Sequence, residues 1–256
     1  MTVANHFTET YNTKLVHVIK ADLDCVSVEK ITSTTKSVVN SNMFGVNGTF
    51  FASGTSLLGI AIKNGLAVIS GGLQSGQTCG ISTKRGTMYH YSPSFGGSYL
   101  ATDVVKDHTD TGASASQMKW AIGGYSLYPY RTYTSESQYL TDINGSGASI
   151  SCTPAIANTE NAYRLEPSSS THRTAIGWNG TKIVLAVFED ATAYSVRQYM
   201  KNQGCNSLAI MLDGGGSSQM RYGIPTPGGL GTGTYDPKGE NRQVYSMVAV
   251  NPSSWI

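Results

Sequence analysis

The chain has 256 residues, 39% of them hydrophobic and only 13% Asp, Glu, Lys or Arg. Because these charged residues average about 25% in globular proteins, the composition predicts a β-rich folded protein with a neutral polar surface. The formal net charge is +2 and the basic residues are scattered, which excludes the electrostatic signature of nucleic-acid or anionic-membrane binding and favours a neutral polar ligand such as a sugar.

The first strands are predicted near the N-terminus. The segments KLVHVIKADL (14–23) and CVSVEKI (25–31) alternate apolar and polar residues, with a turn around residues 22–24. Asn64-Gly65 and Asn179-Gly180 each separate two apolar runs, which is the pattern of type I′ hairpins. No apolar run approaches the ~20 residues that span a bilayer, so no membrane insertion is predicted.

A short helix is predicted over YSVRQYMKNQG (194–204). Val196, Tyr199 and Met200 share one face, Ser195 is the predicted N-cap and Gly204 the predicted left-handed residue after the helix. The strand NSLAIML follows, and this order allows a parallel crossover. Residues 92–117 and 131–170 have little regular pattern. We predict an α+β fold in a single domain, 1–256: a mixed, largely antiparallel twisted sheet with a few packed helices and a site in loops at one end.

The cysteines and the N-terminus bear on the cellular setting. Cys25, Cys79, Cys152 and Cys205 lack the spacing of a zinc site, and free buried thiols are favoured over two disulfides. The first residues contain no apolar signal-peptide core. A secreted protein with its signal removed, a phage-associated protein and a bacterial cytoplasmic protein remain alternatives, and the oligomeric state is open.

The stretch AIMLDGGGSSQM (209–220) is the first candidate for chemistry. An apolar strand ends at Asp213, Gly214, Gly215 and Gly216 follow, and Ser217 and Ser218 add hydroxyls. Glycines permit backbone conformations that other residues avoid, and they let a ligand approach main-chain N–H groups. An ordinary Asp-Gly hairpin turn needs one glycine rather than three.

Three further stretches contain polar residues beside strands. FGVNGTFF (44–51) places Asn47 and Gly48 among apolar residues, THRTAIGW (171–178) starts with His172, Arg173 and Thr174, and GENRQVYSMVAV (239–250) places Arg242 before the last strand. Taken separately, each stretch also fits an ordinary turn or a solvated strand edge.

Together, these four stretches resemble the phosphodiester glycosidase family in sequence and in order. KLVHVIKADL and KWAIGGYSLY are weaker matches, and the resemblance covers about residues 13–251. Thr49, His172 and Gln219 depart from residues that are common in the family, which affects the substrate expected. The resemblance implies hydrolysis of a sugar-1-phosphodiester, with release of the sugar and a phosphomonoester.

This reaction gives the candidate residues their roles. A phosphomonoester with pKa about 6 leaves far more readily than an alkoxide, so cations for the phosphate matter more than a second acid. Asp213 is the predicted nucleophile, base or oxocarbenium stabiliser, and Arg173 and Arg242 are predicted to bind the phosphate. Glu189 is the predicted additional catalytic carboxylate, with Asp190 beside it in reserve.

The remaining candidates are predicted to contact the substrate. Asn47 would hydrogen-bond the sugar, Phe50 or Phe51 would stack on it, and the glycine N–H groups with Ser217 and Ser218 would hold phosphate or hydroxyl groups. We also predict substrate contacts for Gly48, His172 and Thr174, which flank these residues in the sequence.

Two other functions remain open at this stage. One is a sugar- or nucleotide-sugar-binding module without catalysis. The other is a metal-dependent phosphodiesterase that cleaves the P–O bond; no cofactor is predicted, but ligands from distant loops would leave room for a divalent cation.

Overall fold

The computed structural model describes residues 3–52, 56–75, 77–78, 81–82, 84–144 and 167–255. In chain order the strands are β1 Ala4–Tyr11, β2 Lys14–Ala21, β3 Val26–Lys30, β4 Phe44–Asn47, β5 Ala61–Lys63, β6 Leu66–Ala67, β7 Gln77–Thr78, β8 Ile81–Ser82, β9 Arg85–Tyr91, β10 Tyr99–Val105, β11 Met118–Gly123, β12 Tyr125–Ser126, β13 Thr171–Trp178, β14 Ile183–Ala191, β15 Leu208–Met211, β16 Met220–Thr226, β17 Gly229–Tyr235 and β18 Ser246–Val250. The helices are α1 Glu136–Asn144 and α2 Ala193–Asn202, and short 3-10 turns include Leu23–Cys25 and Gly215–Ser217.

The strands form three main sheets and one small hairpin. A six-stranded sheet has the order β1-β2-β14-β13-β15-β12, and two five-stranded sheets have the orders β10-β9-β11-β5-β6 and β17-β16-β4-β18-β3. The α+β class is confirmed, although the strands divide among several sheets rather than forming one. In the described part of the chain every ladder between named strands is antiparallel. The crossover through α2 joins β14 to β15, which run parallel but are not adjacent. The strand β13 lies between them and pairs with both in antiparallel fashion.

The six-stranded sheet is buried on both faces. One face packs against α2 through Val196, Tyr199 and Met200, and the other packs against the two five-stranded sheets around Val46, Val248 and similar residues. Double burial explains why β14 begins with an unbroken apolar run, IVLAVF, rather than with alternation. No helix among the described residues is long and apolar enough to cross a bilayer.

The hairpin predictions have different outcomes in detail. Asn64 (φ 48°) and Gly65 (φ 79°) both have positive φ between β5 and β6, which confirms the type I′ turn. Asn179 does not have positive φ, so the type I′ prediction there is wrong. Trp178 pairs with Ile183 across a four-residue loop, since the Asn179 carboxamide oxygen accepts hydrogen bonds from the Thr181 and Lys182 N–H groups.

The helix α2 begins earlier than predicted. Its N-cap is Thr192 rather than Ser195, because the Thr192 hydroxyl accepts a hydrogen bond of 3.2 Å from the Ser195 N–H. Gly204 has φ 87°, as predicted for the residue that terminates the helix.

Parts of the chain predicted to be irregular are in fact regular. Residues 92–117 contain β10, and residues 131–170 contain α1, while 145–166 lie outside the described residues. The strand β1 was also missed, because it is an edge strand whose side chains are mostly exposed or half-buried and polar. Cys25 and Cys205 are buried free thiols, as favoured, and burial raises the pKa of Cys205 to about 12. Cys79 and Cys152 lie outside the described residues.

A stack of four rings joins the six-stranded sheet to the β16–β17 hairpin. His6 lies parallel to Tyr222 with centroids 3.4 Å apart, His17 lies parallel to Tyr235 at 3.8 Å, and the two histidines approach to 3.1 Å between Nε2 and Nδ1. Burial lowers the pKa of both histidines to about 4, with repulsion from His17 adding to the effect at His6.

This stack predicts a stability that depends on pH. The folded pKa values near 4 lie below the ordinary 6.5, so the contribution is complete above pH 6.5 and is lost as the pH falls towards 4. We expect the melting temperature of the wild type to drop over this interval more steeply than that of His6→Phe/His17→Phe, which keeps the rings but cannot be protonated. His108→Phe is the matched control. Equal slopes for the wild type and the double variant would contradict the prediction.

Candidate active site

Asp213 lies just beyond β15, where loops from all three main sheets meet. The Asp213 N–H donates to the Gly48 carbonyl at 3.1 Å, and the Leu212 N–H donates to the Thr174 carbonyl at 2.8 Å. The Asp213 carbonyl in turn accepts 2.8 Å from Asn47 Nδ2. The main chain of Asp213 is therefore held from two sides, which fixes where its carboxyl group can point.

The Asp213 carboxyl group lies in a low-dielectric setting, although the residue is only partly shielded from solvent. Desolvation raises the pKa of Asp213 to about 6, against the opposing effects of the Ser217 hydroxyl, the Gly214 N–H, Arg242 and Arg85. The Gly214 N–H donates to Asp213 Oδ1 at 2.9 Å. The group is thus mostly ionised at pH 7 and is poised close to the working pH of an enzyme.

Asn47 connects three of the motifs found in the sequence. Its Oδ1 accepts from the Thr174 hydroxyl at 2.8 Å and from the Gln219 N–H at 3.1 Å, while the Thr174 hydroxyl also lies 3.1 Å from Ser218 Oγ. Asn47, Thr174, Ser218 and Gln219 are all 0% exposed. These contacts connect Asn47 to the main chain of Asp213, and its contact with a sugar stays a prediction.

The three glycines have different surroundings. A Cβ on Gly214 would lie 3.0 Å from the His172 carbonyl and 3.5 Å from Arg173 Cδ, so the Arg173 side chain passes directly alongside. Gly215 has φ 58° and borders open space. Within the described part of the chain, the N–H groups of Gly215 and Gly216 make no hydrogen bond. Gly215 is half-buried and Gly216 is buried, so the Gly215 N–H is the more accessible donor of the two.

Ser217 and Ser218 differ in their environment. The Ser217 hydroxyl is buried, and its polar contact with the Asp213 carboxyl group lowers the pKa of that group, although the contact does not meet the geometry of a regular hydrogen bond. Ser218 is instead occupied with Thr174. Of the two predicted hydroxyls, Ser217 is therefore the one that faces the Asp213 carboxyl group.

The two arginines predicted from the sequence lie at the glycine loop, Arg173 alongside Gly214 and Arg242 alongside Gly216. Arg173 is 3% exposed, and it donates from Nε to the Ala191 carbonyl at 3.2 Å and from Nη2 to the Ser169 carbonyl at 2.7 Å. Arg242 is exposed, lies over the Phe51 ring at 5.4 Å, and its carbonyl accepts 2.8 Å from Gln219 Nε2. Both predicted arginines are thus brought to the glycine loop.

Arg85 is a third cation that the sequence analysis missed. It is 2% exposed, its Nε donates to the Ser75 carbonyl at 3.2 Å, and its guanidinium lies 5.4 Å from the Phe50 ring centroid. It also lowers the pKa of Asp213. The available signal was an arginine at the entry to a strand, a position that fits a solvated strand edge equally well, and Arg85 lies in none of the four stretches that carry the family resemblance.

The aromatic and histidine candidates all lie against other protein groups. Phe50 is 7% exposed and stacks parallel to Tyr125 at 6.0 Å, and Phe51 meets Tyr245 edge-on at 4.9 Å. His172 Nδ1 is hydrogen-bonded to the Glu189 carbonyl. Stacking of Phe50 or Phe51 on a sugar and contact of His172 with substrate stay predictions.

The structure places the carboxylates differently from the sequence analysis. Glu189 is exposed and its Oε2 accepts from the Leu15 N–H at 3.1 Å, while Asp190 lies 3.8 Å from Lys14 Nζ. Among the described residues neither forms a hydrogen bond or ion pair with Asp213, so these contacts give the predicted catalytic role of Glu189 no support. Glu240, which was not singled out, has Oε2 3.1 Å from the Cβ position of Gly216 and pairs with Lys238 Nζ at 3.0 Å.

Nothing in the described ranges brings together three or more His, Cys, Asp or Glu side chains in a metal-binding arrangement. The divalent cation that the sequence left open therefore has no candidate cluster of side chains in those ranges.

The fold and the site define a class: a largely antiparallel α+β protein with a partly buried acid, a glycine-rich loop and converging arginines. The sequence model of the phosphodiester glycosidase family matches residues 40–251, and the chain belongs to this family. The family membership predicted from the sequence motifs is thereby confirmed, and it indicates a hydrolase of the glycosidase type.

Comparison with solved structures supports the fold alone. The crystal structure of a "Putative exported protein" from Burkholderia pseudomallei K96243 is similar with a TM-score of 0.55 and 12% sequence identity, covering 93% of this chain and 74% of the other. A search of curated protein sequences finds no significant match.

Proposed function

We propose that this protein hydrolyses the anomeric C–O bond of a sugar-1-phosphodiester and releases the sugar and a phosphomonoester. The observation that carries the proposal is the environment of Asp213. Burial raises the pKa of its carboxyl group to about 6, and Arg242 and Arg85 are close enough to oppose that shift. One acid among cations suits a substrate whose leaving group is itself an anion.

The reaction assigns separate tasks to these groups. The anomeric C–O bond breaks with its electron pair going to the phosphate oxygen, and water supplies the hydroxyl at the anomeric carbon and a proton to solvent or base. A phosphomonoester with pKa about 6 needs little protonation to leave. The general acid that protonates the leaving group in an ordinary glycosidase is therefore not required. Asp213 contributes as a carboxylate whether it acts as nucleophile, base or stabiliser of an oxocarbenium ion.

The arginines support the phosphate side of this reaction. A guanidinium group presents several N–H donors in a plane and binds phosphate oxygens in pairs, and its charge does not depend on pH in this range. Arg242 is exposed beside Gly216 and can reach a ligand directly. Arg173 donates hydrogen bonds to two carbonyls, which keep its guanidinium group alongside Gly214. The Gly215 and Gly216 N–H groups and the Ser217 hydroxyl provide neutral donors.

The bond that breaks is the decisive test. A panel of sugar-1-phosphodiesters, such as methyl phosphodiesters of several hexose-1-phosphates, is incubated in ¹⁸O-labelled water, and the products are analysed by mass spectrometry. The proposal predicts label on the anomeric hydroxyl of the sugar and none in the phosphate. Label in the phosphate indicates P–O cleavage by a phosphodiesterase, and tight binding without product indicates a binding module; either result overturns the proposal.

A further inference from the structure

A cavity of about 160 Å³, lined by both polar and apolar side chains, lies on the face of the six-stranded sheet that packs against α2. It opens between the β1–β2 hairpin, the end of β14 and the first turn of α2. Its floor is formed by the buried side chains of Val16 and Phe188, and its wall includes Tyr11, Lys14, Ser170 and Asp190. None of the roles derived above uses this cavity.

The charges around the cavity are balanced. Lys14 Nζ lies 3.8 Å from Asp190 Oδ2, and Asp190 Oδ1 accepts 2.6 Å from the Ser170 hydroxyl. An anionic ligand would meet the Asp190 carboxylate and a cationic ligand would meet the Lys14 ammonium. A neutral ligand can use both groups as hydrogen-bonding partners without this repulsion.

The nearby helix terminus does not change this balance. The Ala193 N–H donates to the Pro167 carbonyl at 2.9 Å, and the Ser195 N–H donates to the Thr192 hydroxyl at 3.2 Å. Two of the donors that would attract an anion to the start of α2 are therefore already occupied.

We infer that this cavity is a second binding site, specific for a neutral sugar ring. A pyranose has C–H faces that suit the apolar floor and the Tyr11 ring, and it has hydroxyls that both donate and accept, as the Lys14–Asp190–Ser170 rim requires. The charged and hydroxylated rim matches this ligand class better than it matches a purely apolar molecule.

The cavity is close to the candidate active site but separate from it. The strands β14 and β15 are two positions apart in the sheet, which places the cavity about 10 Å from the strand that leads to Asp213. Arg173 links the two places: it donates to the Ser169 and Ala191 carbonyls at the cavity and lies alongside Gly214 at the glycine loop. A sugar in this cavity would therefore not occupy the place of the reacting group.

Binding of methyl glycosides of glucose, galactose, mannose and N-acetylglucosamine, followed by ligand-observed NMR, tests the inference. At least one glycoside is expected to bind with Kd on the order of 1 mM, the range for a single hexose, and inorganic phosphate should not compete. Ser195→Phe places a large side chain into the cavity and should weaken binding at least tenfold. Ser207→Phe, at an exposed position outside the cavity, is the matched control.

A second pair of variants keeps the test independent of folding. Lys14→Ala and Asp190→Ala change exposed or partly exposed side chains, and each should weaken glycoside binding severalfold without altering the melting temperature. Absence of binding by every glycoside up to about 50 mM, or undiminished binding in folded Ser195→Phe, would overturn the inference. The measurement needs no turnover, so loss of this site and loss of the proposed reaction are distinguishable.

Discussion

Asp213→Asn is expected to lower kcat on a sugar-1-phosphodiester at least ~10²-fold, the usual scale for a positioned catalytic group. The variant keeps the size of the side chain and an oxygen for the Gly214 N–H but loses the negative charge that each proposed role requires. The measurement is steady-state hydrolysis of the substrate found by the labelling panel. Asp24→Asn, at an exposed position, is the control for loss of one carboxylate, and near-normal activity of Asp213→Asn would rule out the assignment.

The same substitution, although it lowers activity, should raise the stability of the folded protein at neutral pH. The folded pKa of Asp213 is about 6 and its ordinary value is 3.8, so ionising it in the folded protein costs stability as the pH rises from about 4 to 6. Asp213→Asn should therefore melt at a higher temperature than the wild type at pH 7.5 and at a similar temperature at pH 4. The acid limb of kcat/KM in the wild type should fall near pH 6 for the same reason.

Asn47→Ala has the second-largest expected effect, because it breaks a buried network. The substitution removes the Asn47 partner of the Gln219 N–H, the Thr174 hydroxyl and the Asp213 carbonyl, and Gln219 and Thr174 are 0% exposed, so solvent does not replace it there. At about 1–3 kcal/mol for each buried group left unpaired, we expect unfolding to require about 2–4 kcal/mol less after partial relaxation, measured by urea denaturation.

Activity distinguishes this positioning role from a purely structural one. If Asn47 holds Asp213 in place, the folded variant should lose at least ~10-fold in kcat, since small displacements of a catalytic group are costly. Asn40→Ala, at an exposed position, is the matched control. A destabilised Asn47→Ala that retains full kcat would show that the network supports the fold alone.

Local patterns predicted much of the secondary structure correctly. The Asn64-Gly65 turn depends on two residues that tolerate positive φ, and that preference is present in the dipeptide itself. At Asn179 the same dipeptide formed a longer loop, because its side chain bonded to the main chain two and three residues ahead. The strand β1 was missed because its polar sequence has no strand pattern of its own. It forms a strand at the sheet edge by pairing with β2.

The candidate site was only partly predictable for a related reason. Asp213 and the three glycines are adjacent in the chain, so their combination is visible in the sequence. Arg85 approaches from β9, and Glu240 from the loop before β18, and nothing local distinguishes them from other charged residues at strand ends. Glu189 had a suitable position in its strand, but it is exposed and hydrogen-bonded to the β1–β2 hairpin.

The sequence alone determined the family, the α+β class and the acid followed by glycines, because these depend on residue identity and on conformational preferences over a few neighbours. The tertiary structure decided which side chains surround that acid: it placed Arg85 beside Asp213, turned Asn47 into a buried link between motifs, and left Gly215 partly exposed next to open space. The physical reason is that pKa shifts, hydrogen-bond partners and accessibility depend on distances between residues far apart in the chain, and packing of the three sheets sets those distances.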